Sequence, residues 1–179
     1  MSTKFLLTAF CKDRPGVVAA ISQLIYENGC NLEDSAMTSL ADEFAMILLV
    51  APLSGNNIKA LEERLIQECR RLERDEGITA FIRPVVPGSQ LPAGKVTPKN
   101  ITVEGLDQAG IVYKVSRYLA DQKINITKLN TRMVPSPESG AALYHMELAV
   151  QIPAGLSLET LESGLAAIGD ALNVDIRIA

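Results

Sequence analysis

The sequence predicts an α+β protein built twice over: two βαββαβ units, each a four-stranded antiparallel sheet with two helices on one face. Three observations carry this. A segment that begins Asp13-Arg14-Pro15-Gly16-Val17-Val18 and closes at Asn31-Leu32 returns without a gap as Asp107-Gln108-Ala109-Gly110-Ile111-Val112, closing at Asn125-Ile126, with Ser22 and Ser116 at the same offset. Such a repeat marks a tandem module. The apolar periodicity then runs through the same order of strands and helices in both halves. Finally, the stretch from Pro84 to Pro98 holds four prolines and two glycines, a composition that makes neither a helix nor a central strand. The 179 residues therefore divide into a first unit over 1–84, a Pro/Gly-rich linker over 85–98 and a second unit over 99–179.

Each element has its own signal. Residues 4–11 and Ile101-Thr102-Val103-Glu104 open the two halves as strands. Each meets an Asp-x-x-Gly turn and then a helix. The first helix carries an apolar stripe of Val17, Val18, Ile21, Leu24 and Ile25, with Gly29 as its stop. Its counterpart carries Ile111, Val112, Val115, Tyr118 and Leu119. Strands follow at about 32–40 and 126–134, then the turns Ala41-Asp42-Glu43 and Pro135–Gly140, then strongly apolar strands from Phe44 to Ala51 and from Leu143 to Ile152. Second helices show Ile58, Leu61, Leu65, Cys69 and Leu72 in one half and Leu158, Leu161, Leu165, Ile168 and Leu172 in the other. Short strands, Ile78–Arg83 and Val174–Ile178, close the units.

Composition excludes several functions. Hydrophobic residues at 47% are ample for two cores, and aromatics at 4% with no Trp make those cores aliphatic. A net charge of −4 and a pI near 5.1 argue against a broad nucleic-acid face. The mixed run from Arg70 to Glu76 reads as a solvated helix face. Cys11, Cys30 and Cys69 are isolated, which fits core thiols of a reduced protein better than a disulfide framework or a zinc site. No signal-peptide pattern opens the sequence, and no apolar run nears the roughly 18 residues a membrane span needs, so a cytoplasmic protein is expected. His145, the single histidine, has no serine elbow or cysteine partner in the pattern, and phosphate-binding Gly-rich loops are absent. No cofactor and no metal are expected.

With two helices on one face, the other face of each sheet is open. Aligning Pro52 with Pro153 gives an outward set of Leu6, Thr8, Phe10, Phe44, Met46, Leu48 and Val50 in the first half. The matching set in the second is Thr102, Glu104, His145, Glu147, Ala149 and Gln151. The first is mostly apolar, so the domain 1 sheet face is the expected docking surface of a homo-oligomer.

The Asp-x-x-Gly junctions are the candidate site. A helix N-terminus presents unpaired N–H groups and partial positive charge that suit a carboxylate, and Gly16 and Gly110 leave the backbone unobstructed. Asp13 or Asp107 as a helix cap, with Pro15 in the first turn, explains the same residues as architecture. Asn31 and Asn125 either hydrogen-bond a ligand or satisfy the loop backbone.

The run Cys11-Lys12-Asp13-Arg14-Pro15-Gly16-Val17-Val18-Ala19-Ala20-Ile21-Ser22, with Asn31 after the helix, resembles the ACT domain, a regulatory amino-acid-binding module. Two such domains, over roughly 4–84 and 99–179, resemble the glycine cleavage system transcriptional repressor family. The resemblance implies a ferredoxin-like fold and a small amino acid, glycine among the candidates, as effector at an interface between units. It also implies that Asp13, Arg14, Pro15, Gly16 and Asn31 face the ligand, with Gln108, Ala109, Gly110 and Asn125 as second-half counterparts. Gln108-Ala109 stands where the motif has Arg-Pro. By the same resemblance, control runs through a DNA-binding activator protein rather than through direct contact with nucleic acid. A regulatory ACT segment also precedes the catalytic domain of formyltetrahydrofolate deformylase, but the sequence has no room for that domain, so a non-enzyme is expected. The alternatives are an allosteric subunit of an amino-acid or one-carbon enzyme, and an oligomerising scaffold.

Overall fold

The computed structural model describes residues 3–53, 57–85, 95–135 and 142–179. The chain forms two compact units, Met1–Gln90 and Leu91–Ala179. The first contains β1 (Lys4–Lys12), α1 (Val17–Glu27), β2 (Cys30–Leu40), β3 (Glu43–Pro52), α2 (Ile58–Glu76) and β4 (Thr79–Val85). The second contains β5 (Val96–Leu106), α3 (Ile111–Asp121), β6 (Asn125–Pro135), β7 (Ala142–Pro153), α4 (Leu158–Leu172) and β8 (Val174–Ile178). The sheets are antiparallel in the orders β2-β3-β1-β4 and β6-β7-β5-β8, so each unit is the expected ferredoxin-like βαββαβ.

Strict alternation builds the first core. Phe5, Leu7, Ala9 and Cys11 of β1 pair with Val50, Leu48, Met46 and Phe44 of β3, and all eight are buried under the helices. Ile21, Leu24 and Ile25 of α1 and Leu61, Leu65, Cys69 and Leu72 of α2 close that core from above. The second unit repeats it with Ile101, Val103, Met146, Leu148, Val150 and Ile152 under α3 and α4. Of the residues read as helix stripes, Val18, Val112 and Leu158 lie on the exposed rim. Burial raises the pKa of all three cysteines, Cys69 to about 11, so these thiols resist ionisation.

Two expectations are corrected. Phe44, Met46, Leu48 and Val50 face the core, not outward. Asn31 pairs with Ala51, whereas Asn125 pairs with Gln151, so Pro52 corresponds to Ile152 and the two prolines are not equivalent. A one-residue offset exchanges the faces of a strand. The outward residues of β3 are therefore Ala45, Ile47 and Leu49, opposite Phe10, Thr8 and Leu6 of β1. With Phe81, whose ring centroid is 6.1 Å from that of Phe10, this open face is still apolar. The second-half assignment holds: Thr102 pairs with Glu147 and Glu104 with His145 on the outward side.

The other correction concerns the segment read as a linker. Strands enter it from both sides, β4 to Val85 and β5 from Val96; residues 86–94 and the second turn from 136 to 140 lie outside the described residues. Pro84 sits in edge strand β4. Pro98 sits in β5 ahead of its pairing with β8, which runs from Ile101 to Gly105. Both prolines thus occupy edge positions, where a missing donor is tolerated.

The helix ends differ between copies. Gly29 follows α1 at φ 66°, but the matching residue after α3 is Lys123 at φ 58°. A left-handed backbone strains a residue that carries a Cβ. Lys123→Gly should therefore raise the stability of the second unit by roughly 0.5–1 kcal/mol, since relief of strain exceeds the added chain entropy. Urea denaturation checks this; an unchanged or lowered midpoint counts against it.

Candidate functional site

In each unit the loop after the first strand delivers the backbone to the start of the first helix. Gly16 precedes α1 with φ 97° and ψ −14°, and Gly110 precedes α3 with φ 99° and ψ −2°. Both lie in the left-handed region that glycine alone enters without strain. A Cβ built on either would meet nothing within 4 Å. Backbone conformation, not crowding, requires glycine here, and the space in front of the helix start is open.

The first bonds into these helices run from the Ala20 N–H to the Gly16 carbonyl and from the Lys114 N–H to the Gly110 carbonyl, each 2.9 Å. Amides of the turn before them have no intrahelical acceptor. No side chain caps α1 or α3, and neither has an acidic residue in its first turn. By contrast, the Asn57 Oδ1 accepts from the amides of Lys59 and Ala60 at the start of α2. The reading of Asp13 and Asp107 as caps is therefore corrected. The Ser39 hydroxyl donates to Asp13 Oδ2 at 2.7 Å, and the Asp13 N–H donates to the Asp42 carbonyl at 2.9 Å. Asp13 fastens the loop to β2 and its hairpin turn.

Arg14 fastens it to the other side. Its Nη2 donates to the Glu76 carbonyl at 2.7 Å and to Glu76 Oε2 at 3.0 Å, at the C-terminal end of α2. Gln108 takes the same position in the second unit, and its Nε2 donates to the Leu172 carbonyl at the end of α4. Arginine and glutamine thus make the same kind of tie, one charged and one neutral. This pairing of roles was not read from the sequence, because it needs the second helix to end beside the loop.

Asp13, Arg14, Pro15, Gly16, Gln108, Ala109 and Gly110 are all exposed, as are Asn31 and Asn125 at the starts of β2 and β6. The Asn125 amide donates to Gln151 Oε1 at 3.4 Å. Below the second loop, Tyr144 lies near Asp107 and Thr131, and burial is the main cause that pushes its hydroxyl pKa up. His145 lies on the opposite face, its ring nitrogens 3.0 Å from Glu104 Oε1 and 2.9 Å from Glu147 Oε1. Among the described residues no cluster of histidine, cysteine and carboxylates is arranged to hold a metal, and no helix is long and apolar enough to cross a membrane.

An anion, above all a carboxylate, is the chemistry that such helix starts accommodate. The sequence pattern of the ACT domain matches residues 3–78. The glycine cleavage system transcriptional repressor of Escherichia coli strain K12 is 28% identical over 171 residues, covering 94% of this chain and 85% of that protein. A UPF0237 protein of Methanopyrus kandleri is 46% identical over 81 residues, 45% of this chain and 87% of that one. Among solved structures, an unknown protein from Galdieria sulphuraria aligns at TM-score 0.78 with 28% identity, over 99% of this chain and 98% of its own. A protein assigned as a glycine cleavage system transcriptional repressor aligns at TM-score 0.69 with 19% identity, over 100% and 97% of the two chains, a likeness of fold.

Proposed function

The chain belongs to the ACT-domain family, with two units of that fold in tandem, and from that premise we propose that it is a non-catalytic, cytoplasmic amino-acid sensor. The observation that carries the reading is the pair of uncapped helix starts, each opened by a left-handed glycine with free space before it. Such a site takes the α-carboxylate of a small amino acid through backbone amides. Its energy comes from replacing water on groups that the fold leaves unpaired. Asp13 and Arg14 hold the first loop in shape from both sides, so in this reading they position the amides while Gly16 and Asn31 meet the ligand. Gln108, Ala109, Gly110 and Asn125 form the second, neutral version.

The resemblance to a glycine cleavage system transcriptional repressor supports glycine as the effector and control of glycine cleavage as the output. Action through a DNA-binding partner agrees with the acidic chain and its net charge of −4. The apolar sheet face of Leu6, Phe10, Ile47, Leu49 and Phe81 is the surface that a second copy of the chain covers in this reading.

Calorimetric titration with glycine and the other nineteen amino acids tests the sensor. Saturable binding of at least one small amino acid is expected, and its absence for all twenty defeats the reading. Affinity capture with the tagged chain then separates two outputs. A recovered DNA-binding protein supports transcriptional control, and a recovered amino-acid or one-carbon enzyme replaces it with allosteric control.

A further inference from the structure

The open sheet faces hold a second feature, distinct from the loops. In both units the edge strand slips register at its start, between Leu32 and Asp34 in β2 and between Ile126 and Lys128 in β6. A bulge bends its strand away from the sheet, and a hollow opens beside each one. In the first unit it measures about 170 Å³ and is lined by Leu6, Ile47, Leu49 and Asp34 among others. In the second it measures about 410 Å³ and is lined by Asn100, Thr102, Lys128, Asn130, Glu147 and Ala149 among others. The pairings superpose the two position by position: Leu49 corresponds to Ala149, Ile47 to Glu147, Leu6 to Asn100 and Asp34 to Lys128. One concavity is filled with aliphatic side chains. Its twin is emptied at Ala149 and lined with both signs of charge.

We propose that this hollow in the second unit binds a small zwitterion, its ammonium at Glu147 and its carboxylate at Lys128. Glu147 is held in place from one side only. Its Oε1 accepts from His145 Nε2 at 2.9 Å and from Arg132 Nη2 at 3.3 Å, while among the described residues no hydrogen bond reaches Oε2. The carboxylate is kept ionised first by the His145 hydrogen bond, with Arg132 and Lys128 adding to it. Lys128 forms no ion pair among the described residues, and it stands one row along the sheet from Glu147, opposite Ala149. Such diagonal neighbours lie about 7–8 Å apart at Cα, within reach of long side chains, yet the pair is open here because Glu147 turns to His145 and Arg132, which leaves room for a ligand between the two charges. Asn100, Thr102 and Asn130 supply amide and hydroxyl groups around the middle. A volume of this size falls within the range of small-molecule sites.

The test is a nitrogen-15 correlation NMR titration of the full chain with glycine and with 4-aminobutyrate, using methylammonium and acetate as single-charge controls. Saturable shifts are expected at Thr102, Asn130 and Ala149 with at least one zwitterion, and not with either control. Glu147→Gln and Lys128→Met should each weaken that binding at least tenfold. Ala149→Leu, which installs the residue the first unit carries there, should abolish it. Equal shifts from the single ions, shifts confined to the loops at Gly16 and Gly110, or no saturable shift at Thr102, Asn130 and Ala149 overturn the proposal. So does unchanged binding in Ala149→Leu; if that variant misfolds, unchanged binding in Glu147→Gln does the same. The loop reading survives each of these outcomes, since it is scored at Gly16 and Gly110.

Discussion

Leu48→Asp should unfold the first unit, whereas Ile47→Asp, one residue away in β3, should leave it folded and change its association. Leu48 is fully buried between β1, β2 and the helices, within a cluster of apolar side chains. A carboxylate there enters as an unpaired buried charge, at a cost of several kcal/mol. A unit of this size has only about 5–15 kcal/mol of stability in total. Ile47 points the other way and is 49% exposed within the chain. An aspartate at that position costs the isolated unit little, yet it places a charge at the centre of the apolar face. Circular dichroism during urea denaturation should show a lost or strongly lowered transition for Leu48→Asp and a near-normal one for Ile47→Asp. Sedimentation velocity should show a wild-type dimer or larger species and a shift toward monomer in Ile47→Asp. A wild type that is monomeric at micromolar concentration removes the face as an interface between copies. An Ile47→Asp protein that assembles like the wild type places that interface elsewhere.

The contrast between these neighbours also shows what could be read from the sequence. Element order and type were legible throughout, because short apolar runs such as Phe5 to Cys11 bounded by polar residues suit strands, and the heptad-like spacing of Leu61, Leu65 and Leu72 suits a helix. The faces of β3 were not. Phe44 to Ala51 is apolar at nearly every position, so no alternation distinguishes Leu48 from Ile47, and only pairing with β1 and β2 settles it. The second unit was legible on this point because Glu147 and Gln151 alternate with Met146, Leu148 and Val150. At the site, the glycines were found through their place before a helix, and the structure supplies the positive φ that requires them. The partners of Asp13 and Arg14 were out of reach. Ser39 and Glu76 are distant in sequence, and no local pattern announces a hydrogen bond across such separations. Helix-capping preference favoured Asp13 as a cap, but tertiary contact with β2 took its carboxylate instead.

Gly16→Val should weaken amino-acid binding at the first loop by about tenfold or more while leaving the first unit folded at reduced stability. Nothing lies within 4 Å of a Cβ at Gly16, so the added side chain meets no steric wall in the chain itself. The penalty comes from the backbone, since a β-branched residue at φ 97° is strained by an amount on the order of 1–2 kcal/mol. Either the strain persists and the valine methyls occupy the space before the amides, or the loop relaxes and the amides turn away. Both routes deprive a carboxylate of its donors, and unmade contacts of that kind cost about 1–3 kcal/mol, roughly a tenfold to hundredfold loss of affinity. Arg14→Ala separates positioning from contact. It releases the loop from the Glu76 carbonyl and carboxylate without touching the amides, so a smaller loss is expected. Gly110→Val imposes the same backbone strain in the second unit and controls for stability; its effect on binding should be smaller, because the second loop carries Gln108-Ala109 where the first carries Arg14-Pro15. The measurement is calorimetric titration of each variant with the amino acid that binds the wild type, alongside its melting temperature. Wild-type affinity in folded Gly16→Val would remove the ligand from the α1 helix start, and a larger loss in Gly110→Val than in Gly16→Val would move the principal site to the second unit.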